Sequence, residues 1–148
     1  MKITEALLGE HGLFYAEFGQ LEASVPGMDE IDSVKSQGAL LRAGIESHAN
    51  LEENLLFVNL DQQVGPMGPL AVMRSEHEEI ERTMSLLSEV EDLEQAKSQL
   101  LHAVQVAREH FLKEERILFP MAEQVLRQEE LHQLGARWAE ARGVALSF

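Results

Sequence analysis

The ten residues from His48 to Phe57, H-A-N-L-E-E-N-L-L-F, return 62 positions later as His110 to Phe119, H-F-L-K-E-E-R-I-L-F. Both read H-x-x-x-E-E-x-x-L-F. On composition alone, agreement at Glu, Glu, Leu and Phe is roughly a one-in-ten-thousand coincidence for a given pair of histidines. A fainter echo precedes each copy, Glu10-His11 before the first and Glu76-His77 before the second, offset by 66. The chain therefore reads as a duplicated two-helix unit, about 3–60 and 70–127, and both copies must find equivalent surroundings in the fold.

Few residues favour strands, Leu, Glu, Ala and Gln are plentiful, and apolar positions recur at three and four. The reading is all-α. A first helix is expected behind Thr4, carrying Ala6, Leu7, Leu8, Leu13, Phe14, Phe18 and Leu21, and stopping at Val25-Pro26-Gly27. A second is expected from Ile31 to Leu60, followed by a loop from Asp61 to Pro69 rich in residues that cannot continue a helix. The third runs from Leu70 to Val90. Asp92 with Gln95 resembles a capping box opening a fourth from Leu93 to about Arg127. Pro120 should kink or end that helix, because proline lacks the backbone donor and clashes with the preceding turn. Residues 129–143, with Trp138, form a short closing helix. Short connections make sequential helices antiparallel neighbours, so the expected architecture is an up-down-up-down antiparallel four-helix bundle with a short extra C-terminal helix, one domain over 1–148.

Composition narrows the chemistry. The 148 residues are 45% apolar, enough for one core, and no run approaches the ~18 apolar residues of a membrane span. The start, Met1-Lys2-Ile3-Thr4-Glu5, puts charge where a secretory signal would place its apolar stretch, so a cytoplasmic location is expected. Twenty-six acids against twelve bases leave a net charge of −14, which disfavours nucleic acid and anionic lipid as partners and favours cations. With no cysteine, any metal must be held by nitrogen and oxygen.

Residues four apart on a helix lie about 40° and 6 Å apart on one face, so His48 with Glu52, and His110 with Glu114, can grip one ion side by side. In an antiparallel bundle His11 and His77 reach the same level. Any one of these residues alone reads as well as a core or bundle-end residue, whereas six converging on one level suit two borderline metal ions with bridging carboxylates. Leu56-Phe57 and Leu118-Phe119 are read as core beneath the site. Glu53 and Glu115, about 100° around the helix, are read as solvated or as supporting the ligands from outside. His102 and His132 are read as surface residues.

At this point the chain resembles the hemerythrin family of HHE cation-binding domains, from Glu10-His11 through His110-Phe-Leu-Lys-Glu114-Glu115-Arg-Ile-Leu-Phe-Pro120. The resemblance implies a non-haem centre of two iron ions, oxo- or hydroxo-bridged, with His11, His48, His77 and His110 as terminal ligands and Glu52 and Glu114 as bridges. Oxygen-carrying members have a fifth histidine four residues before the third-helix ligand; here that place is Met73. The four-His, two-Glu set is more like the iron-centre repair proteins and other bacterial members, although the cysteine-containing region of the repair proteins has no counterpart here. Tyr15 and Glu81, each one turn from a histidine, are candidates to complete the coordination. The function implied is reaction with, or sensing of, O2, peroxide or nitric oxide. An oxidase or peroxidase-like enzyme, a sensor or binding module without turnover, and a metal-free helical interaction protein are the three alternatives.

Overall fold

The structure, a computed structural model, describes residues 1–147. Helix α1 spans Ile3–Ser24, where the Glu5 carboxylate accepts a 2.8 Å hydrogen bond from the Lys2 backbone N–H. It ends in a 3₁₀ turn over Val25–Gly27. Helix α2, Ile31–Leu51, passes into a π-helical stretch, Glu52–Phe57, and continues as α3, Val58–Val64, with right-handed helical backbone angles at both junctions. Helix α4 covers Pro69–Leu86. Helix α5, Leu93–Lys113, repeats the device: a π stretch over Glu114–Leu118 leads into α6, Phe119–Val125. Helix α7, Gln128–Arg142, closes the chain. The Asp92 carboxylate accepts from the Gln95 N–H at 2.9 Å, so the N-cap half of the expected capping box on α5 is present.

Cross-helix bonds set the directions. Lys35 Nζ donates to the Ser88 carbonyl, Arg42 pairs with Glu81, and Arg74 donates twice to Asp61, which runs α2–α3 against α4. Lys97 reaches the Pro26 carbonyl, Arg108 pairs with Glu22 and Thr4 bonds Glu123, which runs α1 against α5–α6. The result is the up-down-up-down bundle.

Three boundaries differ from the sequence reading. The third helix, expected to reach Val90, gives way after Leu86 to a 3₁₀ turn over Leu87–Glu89. The second helix runs through Asp61 to Val64 and stops only where Gly65 takes φ +80°, a left-handed conformation that glycine adopts without penalty. The two-pronged Arg74–Asp61 pair, at 3.0 and 2.7 Å, holds the extra turn against α4. Pro120 neither ends nor breaks the fourth helix, which reaches Val125. The proline lies two residues beyond the π stretch, at the start of α6, where the wider turn relieves the clash with the carbonyl four residues back and the missing donor breaks no regular ladder.

The core is split in two. One apolar cluster contains Phe18, Leu41, Ile80, Leu100, Val104 and Phe111; the other contains Ile3, Leu7, Leu56, Leu60, Leu118 and Leu131. The buried polar residues His11, His48, Glu52, His110 and Glu114 belong to neither cluster. They form a polar layer across the bundle. Helix α7 lies beside α1 and runs the same way: a Cβ at Gly135 would overlap the Met1 carbonyl oxygen, while Trp138 and Arg142 reach Glu10.

Candidate metal centre

The two π stretches begin at Glu52 and Glu114 themselves. One-turn π features inside α-helices recur at functional sites, because the extra residue re-aims side chains without ending the helix. Here each leaves the H-x-x-x-E turn regular and packs the residues after it differently. Leu55, Leu56 and Phe57 are consecutively buried, which a regular α-helix would not readily achieve.

All six sequence-derived residues meet in the layer. Ligand atoms of Glu52, His77, His110 and Glu114 lie within 4.8 Å of one another, as do those of His11, His48 and Glu114. Glu114 is common to both groups. Its Oε1 is 2.8 Å from His110 Nε2 and 3.8 Å from His11 Nε2; Glu52 Oε2 is 3.3 Å from His77 Nε2 and 4.0 Å from His48 Nε2. Each carboxylate thus faces one histidine from each half of the duplicated unit.

Short distances here do not make hydrogen bonds. Both carboxylate oxygens of Glu52 and of Glu114, and Nε2 of His77 and His110, are buried without a hydrogen-bonding partner. Groups like these cost several kcal/mol when left bare inside a protein, on the order of 1–3 each or more for charged ones. Burial pushes the Glu52 and Glu114 carboxyls up to about 7, with the neighbouring Glu114 adding to the effect on Glu52. His11 falls to about 3 through burial and the proximity of His48. A shared cation would satisfy every one of these lone pairs, so the residues fit a metal centre of nitrogen and oxygen donors.

The outer ring nitrogens show how the imidazoles are aimed. Each Nδ1 meets a glutamate: His11 to Glu115 at 3.0 Å, His48 to Glu10 at 2.9 Å, His77 to Glu53 at 2.8 Å and His110 to Glu76 at 3.0 Å. An ionised carboxylate only accepts, so each Nδ1 carries a proton and each Nε2 faces inward, where His11 and His48 meet Nε2 to Nε2 at 3.2 Å. A metal would take the inward lone pairs and displace any proton held there. At His77, burial works against protonation, but the carboxylates of Glu52, facing Nε2 at 3.3 Å, and Glu53, accepting from Nδ1, outweigh it and raise the imidazole to about 10. At Glu10, burial is likewise outweighed by His48, Arg142 and Trp138, which hold the carboxylate ionised.

Glu53 and Glu115, read from sequence as solvated or supporting, are therefore the partners of His77 and His11. Glu10 and Glu76 were not foreseen in this role. Their signal was present as the doublets Glu10-His11 and Glu76-His77: one residue faces the layer, and its neighbour reaches sideways to the histidine of the next helix. Of the two candidates to complete coordination, Tyr15 donates to Glu115 Oε1 at 2.7 Å and Glu81 pairs with Arg42; Met73, in the place of the fifth histidine, packs in the second apolar cluster. His102 and His132 are exposed. Aromatic rings enclose the layer, Phe111 stacking on His11 at 4.1 Å and Phe57 on His77 at 5.5 Å.

Fold and layer together define a class: a four-helix bundle with a buried histidine–carboxylate cation site. The chain belongs to the hemerythrin HHE cation-binding domain family, which it matches over residues 2–122 and, in a second overlapping match, over 69–144. No match was found among curated proteins or solved structures.

Proposed function

We propose that the layer holds two iron ions, with His11 and His48 on one, His77 and His110 on the other and Glu52 and Glu114 between them, and that the protein reacts there with dioxygen, peroxide or nitric oxide. The observation that carries this reading is the set of buried, unpartnered oxygens and imidazole nitrogens converging on one level. Two ions are favoured over one because the donors fall into two groups sharing Glu114, and an all-nitrogen-and-oxygen set rich in carboxylate suits iron better than a soft metal. Iron in such a site supplies redox chemistry that protein side chains lack.

The chain's own residues do the rest. The four outer glutamates hold the imidazoles in one tautomer and orientation, and the aromatic rings above and below exclude water. Access is unequal. A cleft of about 240 Å³, lined by Ile45, Ala49, Glu53, His77 and Ile80, opens on the His77 side. His77 is 9% exposed in its side chain, whereas His11 is fully buried. Glu46, Glu78 and Glu81 also line that cleft, so its potential favours neutral or cationic visitors over anions. Small uncharged molecules fit this route.

Anaerobic loading with ferrous iron, followed by metal counting and visible spectroscopy before and after air, tests the reading. Two irons per chain and an oxidised spectrum that persists under argon are expected, since Met73 occupies the place of the fifth histidine and is 2% exposed among apolar neighbours. One iron per chain, or zinc retained as well as iron from iron-replete cells, would overturn the assignment.

A further inference from the structure

We propose that α7 clamps the His11/His48 side of the layer, with Trp138 and Arg142 as positioning residues that act through Glu10 on His48. This rests on the reading of the layer as a metal centre.

Glu10 is held on all sides. Its Oε1 accepts from His48 Nδ1 at 2.9 Å and from Arg142 Nη2 at 2.9 Å; its Oε2 accepts from Trp138 Nε1 at 2.8 Å and from Arg142 Nε at 2.8 Å. A carboxylate offers about four lone-pair sites, and here all are taken. The guanidinium grips it as a fork, the geometry that lysine cannot reproduce. Arg142 also bonds Ser47, the residue before His48. A histidine whose outer nitrogen rests on so constrained a carboxylate keeps its inner nitrogen in place without metal.

The repeat provides the comparison. Glu76 plays the same part for His110, but its second oxygen meets only Lys113, whose side chain is 51% exposed. Glu53, on His77, is itself 36% exposed. The duplicated unit would make the two halves of the layer alike, and α7, which lies outside that unit, makes them unlike. Its docking is specific at both ends: Gly135 admits the backbone of Met1 and Lys2, and the last turn carries Arg142 to Glu10. The clamped half is accordingly the tighter, better-ordered metal position, and the half beside the cleft is the looser one.

The test is an anaerobic titration of the full chain with ferrous iron, resolving two binding steps, for the unaltered protein and for Trp138→Phe, Arg142→Lys, Arg142→Gln and Lys113→Gln. Trp138→Phe removes the Nε1–H donor while keeping an aromatic ring, and the metal-free unfolding midpoint reports any loss of packing. Supporting partners of metal-bound histidines typically contribute about 10–100-fold in affinity. Trp138→Phe and Arg142→Gln should weaken the tighter step by about tenfold or more and spare the other, with Arg142→Lys intermediate. Lys113→Gln should weaken the step that Trp138→Phe spares. Unchanged binding in all variants would overturn the clamp. Equal weakening of both steps, in proportion to a lowered unfolding midpoint of the metal-free protein, would also overturn it, leaving Trp138 and Arg142 as packing residues. No iron binding by the unaltered chain would instead sink the metal reading itself, and the clamp with it.

Discussion

Glu52 and Glu53 are chemically identical neighbours, as are Glu114 and Glu115, and their surroundings separate them. Glu52 and Glu114 are fully buried with no partner for either oxygen, whereas Glu53 and Glu115 each accept from a histidine Nδ1. Glutamine at 52 or 114 removes a charge from the centre and replaces one ligand oxygen by an amide nitrogen. Iron content should fall well below two per chain in either variant. Glutamine at 53 or 115 still offers a carbonyl oxygen to the imidazole, so stoichiometry should stay near two while affinity drops by about 10–100-fold. Metal analysis and competition with a chelator, run on four single variants under one iron supply, distinguish these outcomes. Loss of iron confined to the 53 and 115 variants would show the ligand register to be wrong.

Among the elements, the long helices were legible because their apolar periodicity extends over many turns, and the repeat of H-x-x-x-E named the inward face. What stayed hidden was local or distant. Each π stretch spans only five or six residues, too few to disturb a periodicity, and Pro120 suggested a break that the wider turn absorbs. The turn of helix after Leu60 depends on Arg74, thirteen residues away from Asp61. The contact of α7 with Glu10 joins positions 132 apart in sequence, and no spacing announces it. The seat of α7 gives a direct test. Gly135→Ala places a methyl group against the backbone of Met1 and Lys2, which cannot yield as a side-chain tip could. Overpacking of this kind costs about 1–3 kcal/mol, and chemical denaturation should show a loss in that range; an unchanged midpoint would mean that the helix docks elsewhere.

For the molecule as a whole, the layer makes stability a function of both metal and pH. The unfolded chain carries ordinary glutamates, while Glu52 and Glu114 are raised to about 7 in the metal-free fold. Folding therefore retains protons there, and their contribution to stability is lost as pH rises from about 4.5 through about 7. Bound cations reverse that dependence by taking over the charge, and they must displace the same protons, together with that of His77, raised to about 10. The gain in melting temperature on loading should consequently be larger at pH 8 than at pH 6. At a hundredfold excess over the dissociation constant the linkage is about 2.7 kcal/mol, or roughly 5–10 °C for a chain of this size. Differential scanning fluorimetry with and without iron at the two pH values measures it, and a gain greater at pH 6 would contradict it. The split core has its own consequence. Two greasy compartments separated by a polar waist are joined only by the long helices that cross it, so in the metal-free chain the end holding α3, α6 and α7 should open at lower free energy than the other. Ions at the waist rivet the compartments into one. Amide hydrogen exchange would then sort the two ends of the long helices into two protection classes without metal and a single class with it, so that the centre serves the architecture as its keystone as well as its chemistry.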